Sequence, residues 1–98
     1  MTSVSYLAAA EEELNAAAAF YEAQASGLGL EFLDEVEAVE QRARANPALG
    51  APYAAGTRRL LLNRFPFGFI YRERSNNRLE VVALMHLRRH PEYWRHRI

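Results

Sequence analysis

The side chains best suited to chemistry gather late in the chain. His86 is followed at once by Leu87, Arg88 and Arg89. A histidine exchanges its proton near neutral pH, so beside guanidiniums it can act as general base or acid at a ribose hydroxyl or a leaving phosphodiester oxygen. The next residues carry a second kind of chemistry. Tyr93 and Trp94, with Arg95 and Arg97 alongside, offer aromatic faces for an unstacked base and guanidinium forks for its phosphates. Trp94, the only tryptophan, fits equally well as a seal on the edge of the core. Arg58, Arg59 and Arg64 form an earlier basic group. Strand alternation puts Arg59 with Leu61 on one face and Arg58 and Arg64 with Leu60 and Leu62 on the other, so the three cannot converge on one ligand without a bulge.

Other chemistries lack their residues. The sequence has no cysteine, which removes disulfides, thiolate metal sites and a cysteine nucleophile together. His86 and His90 have the spacing of a helical metal pair, but Pro91 and the preceding strand pattern argue against a helix there, and no third ligand is evident. No metal or cofactor is expected. There is no glycine-rich phosphate loop and no serine elbow of recognisable spacing. No apolar run reaches about 18 residues, and Glu11, Glu12 and Glu13 interrupt the alanine-rich opening, so neither a membrane span nor a signal peptide is expected. The expected location is the cytoplasm.

Formal net charge is +0, but the charges are unevenly placed. Residues 1–49 hold nine carboxylates and two arginines, a balance of −7, and residues 50–98 hold ten arginines and three glutamates, a balance of +7. A fold that keeps the halves on different faces has one surface suited to an anionic target. All the cations are arginine, as a GC-rich genome alone would produce and as phosphate recognition would also favour.

The elements that must position these groups follow from periodicity. At 98 residues the chain has room for one domain, residues 1–98, with a single core. Ser3 to Tyr6 suits a short strand. Leu7, Ala10, Leu14, Ala17, Tyr21 and Ala25 then recur at helical spacing, with Glu11 to Glu13 where a helix start favours negative charge. Gly27-Leu28-Gly29 is expected to end this helix. Phe32, Val36, Val39 and Ala43 mark a second helix, stopped by Asn46-Pro47 and forced into an antiparallel hairpin with the first. Ala48 to Gly56 reads as a loop. The period becomes two over Arg58 to Leu62, Phe67 to Arg74 and Leu79 to His86. With Asn76-Asn77 as a two-residue turn, Arg74 pairs with Leu79 and Phe67 faces His86. Val81 to Met85 is apolar on both faces and reads as a central strand. The expected fold is a two-layer α+β domain, a helical hairpin packed on an antiparallel sheet of three to four strands.

Taken in order, these segments resemble a known group. Glu13-Leu14 with Ala17, Phe20-Tyr21-Glu22, Gly27-Leu28-Gly29 with Phe32, Glu35-Val36, Asn46-Pro47, Arg58-Arg59, Arg64-Phe65-Pro66-Phe67, Ile70-Tyr71 and His86-Leu87-Arg88-Arg89-His90-Pro91 with Tyr93-Trp94 look like the RelE/ParE superfamily of toxins from bacterial type II toxin–antitoxin modules. The resemblance spans nearly the whole chain. It implies a plasmid-stabilisation type of module, a cognate antitoxin that wraps the toxin, and growth arrest when the toxin is free. RelE-like members cleave messenger RNA on the ribosome; ParE-like members poison DNA gyrase and need no nuclease site. By position the resemblance makes Arg59 and Tyr93 the counterparts of parts of the nuclease set, with Arg89 and His86 nearby, so these four are the candidate catalytic residues of an endoribonuclease. Arg58, Arg64, Arg88, Trp94, Arg95 and Arg97 are then the nucleic-acid or target-binding set. The nuclease pattern is broken where this chain has Gly68 and around Leu61, and the choice between the two targets stays open.

Two further classes fit the same residues. One is a non-catalytic module, a degenerate toxin or passive RNA binder, whose contact with phosphates would weaken steeply with salt. The other is a structural partner protein that offers Phe65, Phe67 and Phe69 to an incoming peptide.

Overall fold

A computed structural model describes residues 2–98. The order of elements is β1 (Ser3–Tyr6), α1 (Ala8–Gln24), α2 (Leu28–Ala45), β2 (Ala51–Pro52), β3 (Arg58–Leu61), β4 (Phe67–Arg74) and β5 (Arg78–His86), with short 3-10 turns at Ala54–Gly56 and Arg95–Arg97. The strands form one sheet in the order β1-β5-β4-β3-β2. All neighbours are antiparallel except β1, which runs parallel to β5. The expected two-layer α+β class is therefore found, with a sheet of five strands. Parallel pairing of β1 needs a long crossover, and the helical hairpin together with β2 to β4 supplies it.

The apolar stripes of both helices pack on one face of the sheet. Phe32, Val36, Val39 and Ala43 of α2 and Ala10 and Ala17 of α1 meet Leu60, Leu62, Phe65, Phe67, Phe69, Tyr71, Leu79, Val81 and Leu84. Phe32 is fully buried, which contributes about 1.5–3 kcal/mol relative to exposure. Its ring meets Phe65 and Phe67 edge-on, each with centroids 5.2 Å apart. The three phenylalanines of the β3–β4 region thus belong to the core and offer no surface to a peptide.

The link between the helices differs from the expectation. Helix α1 stops at Gln24, and Gly27, at φ 87°, introduces α2 rather than ending α1. Gly29 lies within α2, where a Cβ would come within 2.5 Å of the Ala18 carbonyl oxygen; the close approach of the two helices requires glycine there. The Glu22 carboxylate accepts hydrogen bonds from the Gly27 and Gly29 N–H groups, closing the start of α2 from the end of α1.

Register was expected to run from Arg74 with Leu79 to Phe67 with His86. Only the second pairing is found, because the turn has three residues. Arg74 pairs with Arg78, leaving Ser75, Asn76 and Asn77 in the turn, both asparagines at positive φ. The ladder then shifts between Ile70, which faces Ala83, and Tyr71, which faces Val81. Val82 is the extra residue of this bulge. As a result Val82, Ala83 and Met85 join Ile70 on the face turned away from the helices, where Trp94 covers them.

Candidate functional site

The site begins where β1 ends. β1 covers the outer edge of β5 from Arg78 to Val81, and the Leu7 N–H still donates to the Val81 carbonyl at 3.0 Å before the chain turns into α1. Beyond that point, among the described residues, no strand pairs with the outer edge of β5. Unpaired ladder groups at a half-buried edge are costly, and here side chains satisfy them. Leu84 N–H donates to the Glu13 carboxylate at 3.2 Å, and the Arg97 guanidinium donates to the Val82 carbonyl at 3.0 Å.

Glu13 is the centre of this arrangement. Of the three successive glutamates in α1 it alone turns inward; Glu11 and Glu12 are exposed. Arg97 grips its carboxylate with two nitrogens, at 2.8 and 3.0 Å. The Tyr93 hydroxyl donates to the same carboxylate through a short hydrogen bond. Arg89 reaches it from the solvent side at 3.4 Å and lies 3.6 Å over the Tyr93 ring. The hydrogen bonds to Glu13 strengthen the protonated state of Arg97. Burial, and then the bond to Glu13, push the Tyr93 phenol well above its ordinary range, so it stays protonated.

The last segment therefore bends around the open edge of β5. Tyr93 and Arg97 reach α1 at the edge, while Trp94 crosses to the far face and packs on Ile70, Val82, Ala83 and Met85. Trp94 is fully buried, with its ring 6.1 Å from that of Tyr53. Its burial leaves no face for a base, and of the two roles the sequence allowed it takes the core seal. Arg88, Arg95 and His96 remain exposed on the outside of the bend.

His86 closes β5. Its ring stands edge-on to Phe67 at 5.2 Å, and its Nδ1 accepts the Arg88 N–H at 3.1 Å. It borders a cavity of ≈ 260 Å³ between α1 and β5, lined by Ala16 and Ala17 on the helix side and also by Arg89. This places His86, Arg89 and Tyr93 in one neighbourhood. Arg59 lies elsewhere. It projects from the face away from the helices, over the Tyr53 ring at 4.8 Å. Gly68 on the adjacent strand makes room for it, since a Cβ there would come within 3.2 Å of the Arg59 Cδ.

Of the other candidate arginines, Arg58 and Arg64 are held by the fold. Arg58 donates to the Gly50 carbonyl at 2.8 Å and to that of Ala48 at 3.2 Å. Arg64 pairs with Glu31 at 3.0 Å and Glu35 at 3.3 Å, and Glu35 also accepts the Asn63 and Arg64 N–H groups. That contact ties the β3–β4 loop to α2. Arg95 pairs with Glu92. Cross-layer ion pairs thus consume part of the charge separation seen in the sequence.

The family model described as "ParE toxin of type II toxin-antitoxin system, parDE" matches residues 4–91. The chain belongs to the ParE toxin family. A solved structure titled "Chromosomal ParDE TA system from P. aeruginosa" is similar at 22% sequence identity and a TM-score of 0.65, covering 89% of this chain and 97% of that one. At that identity the likeness concerns the fold. No curated protein matches at significant similarity. As a ParE-family toxin the chain is a type II toxin–antitoxin toxin, as the RelE/ParE resemblance implies. Among its described residues no helix is long and apolar enough to cross a membrane.

Sequence reasoning missed the residue that organises the site. By sequence Glu13 belongs to an acidic helix start, and nothing in a run of three glutamates distinguishes the inward-facing one except its register with Ala10 and Ala17. Tyr53, which carries Arg59 and borders Trp94, lies in a segment whose sequence signals only a loop.

Proposed function

We propose that this ParE-family toxin arrests growth by poisoning DNA gyrase when free, and that a cognate antitoxin holds it in a plasmid-stabilisation type of module. The observation that carries the choice of target is the Glu13 cluster. A ribonuclease needs mobile or anion-free groups to meet a phosphodiester, whereas the Tyr93 hydroxyl and Arg97 are bound to an internal carboxylate and Arg89 is drawn to it. Arg59 lies on the other face of the sheet from His86, and Gly68 stands where the RelE-like pattern has a basic residue. The exposed surface bearing Arg88, Arg95 and His96 suits a macromolecular contact better than bond cleavage.

Induced expression of the chain in cells tests this. The expected result is growth arrest with accumulating DNA breaks and intact transcripts, relieved by coexpression of the adjacent small gene. Cleaved transcripts with unbroken DNA would place the chain with the messenger RNA cleaving toxins. Normal growth at verified expression would leave the degenerate, non-catalytic module as the correct reading.

A further inference from the structure

The C-terminal segment from Leu87 onward has little regular structure of its own: turns, and one 3-10 turn at Arg95–Arg97. Such a segment keeps one pose only if something outside it fixes that pose. Two anchors do so. Trp94 is an apolar anchor on the far face, and an apolar contact alone sets depth but not direction. Direction comes from the Glu13 carboxylate, which collects Tyr93, Arg97 and Arg89 from the segment and Leu84 N–H from β5. The Arg97 side chain is only 13% exposed and that of Glu13 16%, so the pair is shielded from screening. Arg97 completes the link by donating to Val82.

We propose that Glu13 is the positioning residue of the toxin's C-terminal segment: by capping the open edge of β5 and fixing Arg97 and Tyr93, it sets the pose in which Arg88, Arg95 and His96 meet the target. This rests on the toxin reading for the consequence of the pose, but not for the pose itself. Glu13 touches no target in this account and acts only through the segment it holds. Replacing the carboxylate with an amide removes the charge paired with Arg97 and leaves one acceptor oxygen where two served Leu84 N–H, Tyr93 and Arg97, so that Arg97 is left mainly with the Val82 carbonyl, while the helix stripe and the α2 core are untouched.

The test is hydrogen exchange on the full chain, paired with induced growth arrest, for the wild type, Glu13→Gln and Arg97→Gln. Glu11→Gln and Glu12→Gln serve as controls on exposed neighbours. Expected for both test variants is exchange faster by at least about tenfold through Arg95–Ile98, with the Leu84 amide also faster in Glu13→Gln, unchanged exchange in Leu28–Ala45, and loss of growth arrest. Arg97→Lys, which keeps a charge for Glu13, should retain arrest where Arg97→Gln loses it, a difference that a purely global loss of stability would not produce. Unchanged exchange at Leu84 and in the tail of Glu13→Gln overturns the positioning role. Full growth arrest from a variant whose tail exchanges faster overturns its consequence. Should Glu13→Gln fail to fold, Arg97→Gln decides the matter alone, because it leaves α1 unaltered. A wild-type chain that never arrests growth defeats the proposed function, while the exchange data still judge the pose.

Discussion

Glu13 and Arg97, 84 residues apart in sequence, form a two-pronged ion pair that closes the open half of the β5 edge. The pair joins the acidic half of the chain to the basic half. It also explains how a short, irregular segment rich in arginine can have a defined position on a domain of this size. Exposed ion pairs contribute little, but this one is shielded and each partner also serves a backbone group.

Alkaline pH should loosen the segment. Burial first, and Glu13 second, raise the Tyr93 phenol, and burial with Glu40 does the same for Tyr6. A group raised in the folded state lends stability that is complete below its unfolded value, about 10 for tyrosine, and is lost as pH climbs toward the folded value. Stability measured by urea unfolding should therefore fall above about pH 10. The fall should be shallower in Tyr93→Phe. An equal slope in wild type and variant would show that Tyr93 does not titrate with folding.

Tyr71 and Gly50 make a second test, away from the target surface. The buried Tyr71 hydroxyl accepts the Gly50 N–H at 2.9 Å and donates to the Pro47 carbonyl at 2.8 Å, pinning the segment after α2 to the sheet. Tyr71→Phe should cost about 1–3 kcal/mol in urea unfolding, since both backbone groups lose their partner. Gly50→Ala should disturb the same contact, because its Cβ would fall 2.8 Å from the tyrosine oxygen. Growth arrest by Tyr71→Phe should persist at temperatures where it remains folded.

Much of the domain is readable from period and composition. The two helical stripes, the strands Phe67–Arg74 and Leu79–His86, and the central place of β5 follow from spacing, because burial on one or both faces imposes it. The three-residue turn was not readable. Asn76 and Asn77 suit positive φ in turns of either length, and the bulge at Val82 offsets the extra turn residue, so the far pairing of Phe67 with His86 is the same as a two-residue turn without a bulge would give. β1 was seen as a strand, but its parallel pairing depends on the crossover and leaves no local mark. At the site, the basic tail was legible as composition. The pairing that disciplines it was not, because Glu13 and Arg97 are brought together only by the whole fold.

Trp94 reports on the tail directly. As the only tryptophan, and fully buried, it should emit at short wavelength and resist acrylamide quenching in the wild type. Trp94→Ala should destabilise the chain by about 3–5 kcal/mol. Added RNA should leave the emission unchanged. Quenching by RNA at low salt would mean that the indole is available to bases, and would restore a stacking role.

Purified chain, added to purified DNA gyrase and plasmid, should convert plasmid to the cleaved form in proportion to toxin, with Glu13→Gln less effective. Unchanged gyrase activity at saturating toxin, together with cleavage of messenger RNA on ribosomes in a parallel reaction, would contradict the account.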